Sequence, residues 1–448
     1  MEGSVGPPSV FRGLRCWVAV FLTLGCAAKS IAQVEGSAGD GGTKPFTATV
    51  ALREGYDSNP LTQSYQTQQD VQSSTYTQIT PSLGYNYVGL QADAALRYDF
   101  SGTYYPSINQ AYDIQYQQTL TGRYTYQIDP RVSITLGDNF LYTEQPLVAQ
   151  FVQAGIAPTF NTSTINNLAT VEANFLATER LNLVTRWNNS LVYLGGNQGN
   201  SNYMNNGAFQ QFGLTVTPET TATFTFEYQI YDYDNDNAYR DNQQATFSVG
   251  ARQEFRPPFD IGGTPFLDGR IGIQLNDNYG LADSDVIVGN GGLGSGEQEI
   301  GANPFAAISS TWGYDDNSSS FVKAGFSMQV QQSNLNTAAD SQAYSVDLSW
   351  DHYFTEKFSV IQSFFMNVAV FTPQLSQQQT TSLGLPYQGS GQQTTVTYNC
   401  KFAYQFTPYL SAELGWAYVS YGNYFDLNNG NGGSYTRNQV YVGLRGTY

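Results

Sequence analysis

Only 12% of the 448 residues are charged, whereas 15% are aromatic, and Tyr and Gly contribute 33 and 44 residues. This composition excludes a helical domain rich in Ala, Leu, Glu and Lys and favours many strands joined by polar turns. The formal net charge of −17 excludes nucleic acid as a partner, since a surface that binds nucleic acid must be basic.

The N-terminus has the three parts of a secretory signal peptide. Arg12 and Arg15 precede an apolar run of 13 residues, and the small residues Ser30 and Ala32 supply a cleavage site. The apolar run is too short for a membrane helix, which needs about 20 residues. We predict a signal peptide at 1–32, followed by a flexible periplasmic leader at 33–45.

Cleavage after residue 32 removes one acid and three bases, which leaves 35 acids, 16 bases and a net charge of −19. It also removes two of the three cysteines, so Cys400 remains and no intramolecular disulfide can form. A secreted chain of this length needs another kind of closure. A ladder of paired strands without free edges provides one.

From Phe46 onward, apolar and polar residues alternate with a period of two. Apolar side chains occupy the even positions of 90–100, 222–230 and 410–418, and the odd positions are mostly polar. This pattern predicts strands with one apolar face and one polar face.

Short turns and long polar loops separate these strands. The short turns lie at 128–133, 177–182, 216–219, 354–359 and 406–411. The long loops, rich in Asn, Gln, Gly and Ser, lie at 195–207, 280–302 and 372–392. Short turns at one rim and long loops at the other are typical of outer-membrane barrels.

The predicted fold over 46–448 is all-β: a single transmembrane up-and-down antiparallel β-barrel of about 18 strands, with 16 strands as the second choice. Both ends of the mature chain lie on the short-turn side, and the backbone diameter is roughly 35 Å. A soluble sandwich, propeller or β-helix is the alternative. Aromatic residues near the turns, such as Tyr124, Tyr126, Tyr404 and Phe406, favour a membrane boundary instead.

The last strand ends in a pattern that resembles the assembly signal of outer-membrane barrels. Val440, Val442, Leu444 and Tyr448 share one face, and only Gly446 interrupts the apolar series. We therefore expect the barrel assembly machinery to be a partner.

Charged residues on the opposite, polar face are predicted to line a wet lumen, because membrane proteins tolerate charges where they meet water. The predicted pore-lining residues are Asp93, Arg97, Asp113, Arg123, Arg186, Glu227, Arg270, Asp347, Glu413 and Arg445, together with Arg53, Glu172, Arg252, Asp268, Lys323 and Lys401. The alternative is that these charges pair across strands and only hold the wall together. Asp138 breaks the pattern by falling on the apolar face, which places it near the membrane edge or beside a bulge.

Acidic residues accumulate in the predicted loops. They are Asp232, Asp234 and Asp236, with Asp241, Asp283, Asp285, Glu297 and Glu299. The spacing at 232–237 resembles a calcium loop, but Asn237 replaces the required Gly and Gln243 replaces the final acid. We interpret the segment as a solvated loop tip with no metal site of its own, where divalent cations would bridge to lipopolysaccharide.

Catalytic residues are not predicted. His352, the single histidine of the sequence, has the parity of lipid-facing residues and lies beside a short turn. Cys400 shares the apolar parity of its strand and reads as a small buried or lipid-facing residue. The sequence therefore predicts a protein that is not an enzyme and binds no cofactor.

The segment Gly55-Tyr56-Asp57-Ser58-Asn59-Pro60, at the end of the first strand, resembles the opening of the β-barrel porin 2 family. The repeated Thr-Pro and Thr-Glu turns and the aromatic C-terminus are similar as well. The resemblance implies a barrel over 46–448. It also implies a link to outer-membrane proteins encoded with exopolysaccharide synthesis and export, because some family members are similar to these.

These patterns together predict a bacterial outer-membrane channel, surrounded by outer-membrane lipid and lipopolysaccharide, for passive diffusion of small polar solutes with a weak preference for cations. One alternative is an exopolysaccharide-associated barrel that binds polysaccharide. The other is a non-conducting structural or adhesive barrel.

Overall fold

The computed structural model describes residues 45–61, 71–108, 113–144, 163–194, 202–233, 241–255, 265–277, 301–313, 320–332, 340–371, 391–425 and 434–448. These residues form one closed antiparallel sheet of 18 strands. The strands are β1 (Phe46–Asp57), β2 (Ser74–Val88), β3 (Ala92–Tyr104), β4 (Ile114–Asp129), β5 (Val132–Thr143), β6 (Thr164–Leu176), β7 (Leu181–Leu194), β8 (Tyr203–Thr217), β9 (Thr220–Tyr233), β10 (Asn242–Glu254), β11 (Phe266–Asp277), β12 (Gly301–Gly313), β13 (Phe321–Gln332), β14 (Asp340–Thr355), β15 (Phe358–Phe371), β16 (Gly391–Thr407), β17 (Leu410–Phe425) and β18 (Tyr435–Thr447). No helix in this described part of the chain is long and apolar enough to cross a membrane.

Each strand pairs with its neighbours in the chain, and β1 also pairs with β18. This last pairing, the closing seam (residues 46–57 and 435–447), runs from Thr49 opposite Thr447 to Asp57 opposite Gln439. The Tyr448 backbone N–H extends it by donating to the Ala48 carbonyl at 2.8 Å. The predicted barrel of 18 strands is confirmed, and the alternatives with 16 strands or a soluble multi-sheet architecture are wrong.

The short turns form where the sequence predicts them, and in three of the five a threonine ends the preceding strand. The hydroxyl oxygens of Thr217, Thr355 and Thr407 each accept the backbone N–H two residues later, at 3.2 to 3.3 Å. This local bond stabilises a two-residue turn. A bulge precedes each of these turns, as at 215–217, and adds twist where the strands reverse direction.

The predicted long loops extend too far at their C-terminal ends. Strands β8, β12 and β16 begin at Tyr203, Gly301 and Gly391, inside segments assigned to loops. Their first residues, such as Asn205 and Gly207, have low strand propensity. They nevertheless pair in the ladder with Ser190 and Asn188 of β7.

The two faces of the barrel differ in what they expose. Large apolar side chains are exposed at alternate positions, and Leu52, Ile271 and Val442 are 50%, 65% and 59% exposed. Polar side chains on the other face reach across intervening strands, as Arg53 of β1 does to Glu413 of β17. Side chains of non-neighbouring strands converge only on the concave side of a barrel, so the polar face is the inner face and the apolar face the outer face.

Candidate functional site

The strand register places the predicted pore-lining charges on the inner face. Asp93 and Arg97 lie on β3, Arg123 on β4, Arg186 on β7, Glu227 on β9, Arg270 on β11, Asp347 on β14, Glu413 on β17 and Arg445 on β18. Asp113 directly precedes β4. The structure brings only some of these residues into contact with one another.

Glu413 is the centre of a charged cluster beside the closing seam. Its carboxylate oxygens lie 2.9 Å from Arg53 Nη2 and 2.9 Å from Arg445 Nε. Arg53 also donates to Gln78 Oε1 at 3.2 Å. The Glu413 side chain is only 4% exposed, so these charges bind β1, β2, β17 and β18 together.

Other inner-face ion pairs are more open to water. Arg97 lies 2.8 Å from Asp99, and Arg186 lies 3.9 Å from Glu172, with all four side chains at least 30% exposed. Exposed pairs of this kind contribute about 0–1 kcal/mol to stability. The two interpretations of the inner charges therefore apply to different residues: the Glu413 cluster holds the wall, and the exposed pairs face the interior.

A second buried cluster lies at the loop end of the closing seam, and the sequence prediction missed it. The Asp57 side chain is fully buried, and Arg437 donates to its carboxylate from Nε at 2.9 and 3.1 Å and from Nη2 at 2.6 Å. Tyr105 Oη at 3.1 Å and Gln439 Nε2 at 2.8 Å also donate to this carboxylate. Charge-assisted bonds of this kind are the strongest that side chains form. We call Asp57, Tyr105, Arg437 and Gln439 the seam clamp.

The segment 55–60 builds the seam clamp through its glycine and its short polar residues. Gly55 lies under the ring of Tyr76, and a Cβ there would lie 2.7 Å from that ring and 2.4 Å from the Val440 carbonyl oxygen. The Asn59 N–H donates to Asp57 Oδ1 at 3.0 Å and so bends the chain directly after β1. The motif therefore has a structural role at the closing seam. The alternation of residues along β18 could have identified Arg437 as an inner-face residue, because it shares the face of Arg445.

Aromatic side chains surround the seam clamp on the inner face. The rings of Tyr76 and Tyr105 lie 5.7 Å apart, and both pack with Leu61 and Ile108 in a buried apolar cluster. Tyr421 and Tyr435 form another buried cluster with Phe365. These groups occupy part of the interior at the loop end of the barrel.

The predicted loop acids fall into two groups. Asp232 is the next-to-last residue of β9, and the register puts it on the outer face. Asp241, just before β10, accepts the Tyr233 N–H at 2.7 Å, and burial raises the pKa of its carboxyl. Burial also raises the pKa of Glu144, directly after β5. The remaining predicted acids lie outside the described residues; they are Asp234, Asp236, Asp283, Asp285, Glu297 and Glu299.

The predicted assembly signal lies on the outer face of β18. Val440, Val442 and Leu444 are exposed, as is the Tyr448 side chain. The backbone of Tyr448 is paired with β1, so its main chain completes the ladder.

His352 and Cys400, the two side chains with potential catalytic chemistry, do not form a catalytic site in the described residues. His352 lies between the rings of Trp350 and Phe354, with centroids 5.6 and 4.3 Å away, and Cys400 is buried. Within the described ranges, no three His, Cys, Asp or Glu side chains are placed to hold a metal ion.

The explanation predicted for Asp138 is wrong. The bulge of the β4–β5 hairpin lies at 127–129, and Asp138 sits farther along β5 in a regular ladder opposite Gly122 and Ala169. Apolar outer-face residues, Leu136 and Phe140, lie on both sides of it. The carboxylate is therefore on the outer face away from either rim.

Comparisons with known proteins add little to this geometry. No family model and no curated protein matches the sequence. Among solved structures, the chain is similar to the outer membrane protein OpdK from Pseudomonas aeruginosa, with 9% identity, a TM-score of 0.42, and coverage of 90% of this chain and 99% of that one. It is also similar to the siderophore receptor PirA from Pseudomonas aeruginosa (11% identity, TM-score 0.41, coverage 91% and 81%) and the FrpB iron transporter from Neisseria meningitidis (8%, 0.42, 90% and 81%). Likenesses this distant decide nothing about function.

Proposed function

We propose that this protein is a bacterial outer-membrane channel through which small polar solutes diffuse passively. The observation that carries the proposal is the inversion of polarity in a closed barrel, with apolar side chains outside and charged side chains inside. In a water-soluble barrel the large apolar residues would be buried.

The outer face supports a location in lipid. Exposed Leu, Val, Ile and Phe side chains recur on strand after strand, including Leu83, Phe224 and Leu414 at 60%, 44% and 50% exposure. A closed ladder satisfies every backbone group of the wall without water, as the interior of a membrane requires. The predicted signal peptide and assembly signal are consistent with export to an outer membrane.

The inner face supports the passage of polar solutes. Arg97, Arg123 and Arg186 are at least partly exposed there, and Gln, Asn and Thr fill many of the positions between charges. A barrel of 18 strands is about 35 Å across its backbone, which is wide enough to hold water. The buried tyrosine clusters narrow the loop end, so we expect a conductance below that of an unobstructed ring of this size.

Acidic residues in and beside the loops support a weak cation preference. Negative charge at a narrow entrance concentrates cations and repels anions. The exopolysaccharide-associated barrel and the non-conducting barrel remain the alternative functions, and membership of the β-barrel porin 2 family remains a prediction from 55–60.

Single-channel recording in planar bilayers tests the proposal. We expect stepwise conductance from the purified protein and an altered conductance in Arg123→Gln, whose charge lies on the inner face. Lys357→Gln is the matched control, because it removes the same charge at an exposed short turn, and its conductance should stay unchanged. A closed barrel that binds polysaccharide would favour the first alternative. A closed barrel without such binding would favour the second.

A further inference from the structure

One wall of the barrel carries a group of polar side chains on its outer face. These residues, on the outer face of β5 to β8, form the outer polar patch; they are Asp138, Asn167, Thr185, Asn189, Asn206 and Gln210. The register aligns Asn189 with Asn206 and Thr185 with Gln210 on adjacent strands. Trp187 and Ala208 lie between these two pairs, so the polar residues surround a small apolar centre.

The patch lies at the depth of the lipid-facing band. Along β7, Asn189 lies between Trp187 and Leu191, which are both 46% exposed. Another outer-face pair lies on β1 and β2, where Thr77 donates to the Glu54 carboxylate at 2.8 Å, and other walls carry single polar residues such as Ser310 and Gln362. Charged and polar groups on the lipid face of a barrel are destabilising.

Side chains inside the patch bind one another but retain capacity for more bonds. Asn167 donates to Asp138 at 3.2 Å, and Asn189 donates to Asn206 at 2.9 Å. An amide has two donor hydrogens and two acceptor lone pairs, and a carboxylate accepts about four bonds. Lipid tails can supply none of these partners. A polar protein surface at the same depth of the membrane can supply them.

The chemistry of the patch matches a second copy of itself. Its Asn, Gln and Thr groups both donate and accept, so they can pair with identical groups, and Asp138 can accept from the partner's amides. The shape of the patch is complementary to itself as well. Trp187 projects from its centre, and small residues leave space beside the ring: Ala169 and Ala173 on β6 and Ala208 on β8. Small residues allow close approach inside a membrane, and a central Trp is typical of interface anchors.

We propose that two copies of this chain pair in the membrane through their outer polar patches, a proposal that rests on the proposed membrane location. A patch whose groups can pair with identical groups favours a two-fold arrangement, in which the same surface serves both copies. The Trp187 side chain of each copy then packs beside the small residues of the other.

Thiol cross-linking in isolated membranes tests the pairing. In a Cys400→Ser background, Asn189→Cys should give a covalent dimer with a short bismaleimide. The matched control is Val346→Cys, at an apolar outer-face position of β14, on a distant wall, and it should stay monomeric. Equal cross-linking of both variants, or of neither, would overturn the proposal.

A second variant separates pairing from folding. Asn189→Leu with Asn206→Leu makes the patch apolar, so the barrel should fold and dissociate at least tenfold more readily in detergent, as measured by sedimentation. An unchanged dimer, a monomeric wild type, or a wild type bound only to a different protein would refute the pairing. Release of the protein from membranes by salt alone would instead refute the membrane location. A conducting monomer would refute only the dimer.

Discussion

Replacing Arg437 with Met should destabilise the barrel more than the loss of an exposed inner-face arginine. In the seam clamp, Arg437 and Asp57 are 6% and 0% exposed and lie 2.6 Å apart. Removing one partner of a buried pair leaves an uncompensated charge in a dry site, which costs about 3–5 kcal/mol. We expect Arg437→Met to lose about that much free energy of unfolding.

Two further variants show whether the stability loss in Arg437→Met comes from the buried charge. Arg97→Met removes an arginine whose pair with Asp99 is 51% and 30% exposed, so its loss should stay below about 1 kcal/mol. The double variant Asp57→Leu with Arg437→Met replaces both charges with apolar groups. Because such replacements are often neutral, it should recover most of the stability lost by Arg437→Met.

Urea titration of the protein folded in lipid vesicles measures these differences, with the fraction that runs as a compact band on an unheated gel as the signal. A loss in Arg437→Met no larger than that in Arg97→Met would refute the reasoning. It would show that water reaches the seam clamp and screens its charges. A double variant as unstable as Arg437→Met would show that the lost bonds to Tyr105 and Gln439 dominate instead.

Other outcomes follow from the same structure. The protein should migrate as a compact band until it is boiled, because a closed ladder has no free edge; identical migration before and after heating would contradict a closed barrel. Tyr448→Asp should leave unfolded protein in the periplasm, whereas Tyr448→Phe should assemble, as judged by surface labelling; normal assembly of the Asp variant would remove the assembly role of the C-terminus. Neutralising Asp234 and Asp236 with Asn should reduce the cation preference measured as a reversal potential in a salt gradient, and anion preference in the wild type would refute the charged mouth. Because burial raises the pKa of Asp241 and Glu144, these carboxyls lose their charge at a higher pH than ordinary carboxyls. Cation preference should therefore begin to fall at that higher pH during acidification, less so in Asp241→Asn with Glu144→Gln, and a pH-independent reversal potential would exclude their contribution.

The barrel was predictable because its signals are local. The alternation that makes a strand spans a few residues, and the bond from Thr355 to the Lys357 N–H that closes a turn spans two. Each hairpin can therefore be predicted from its own residues, and counting the hairpins gives the number of strands. Strand ends near the loop rim were less readable, since Asn205 and Gly207 there have the composition of a loop.

The clusters at the closing seam were not predictable in the same way, because their members are distant in sequence. Asp57 and Arg437 are 380 residues apart, and parity alone does not say which inner charges meet. The outer polar patch shows the same limit. Asp138 is visible in the sequence as an exception, but its alignment through Ala169 with Asn189 and Asn206 needs the register of four strands.

The charged clusters lie where pairing of two strands costs the most chain entropy. A hairpin such as β15–β16 is held by its own connection, since Phe371 and Gly391 pair only 20 residues apart. Thr49 and Thr447 pair 398 residues apart, and closing a loop about twentyfold longer costs roughly 2.5 kcal/mol more chain entropy. The seam clamp and the Glu413 cluster lie on this one joint. Ion pairs between side chains therefore stabilise the one strand pairing whose two strands are not consecutive in the chain.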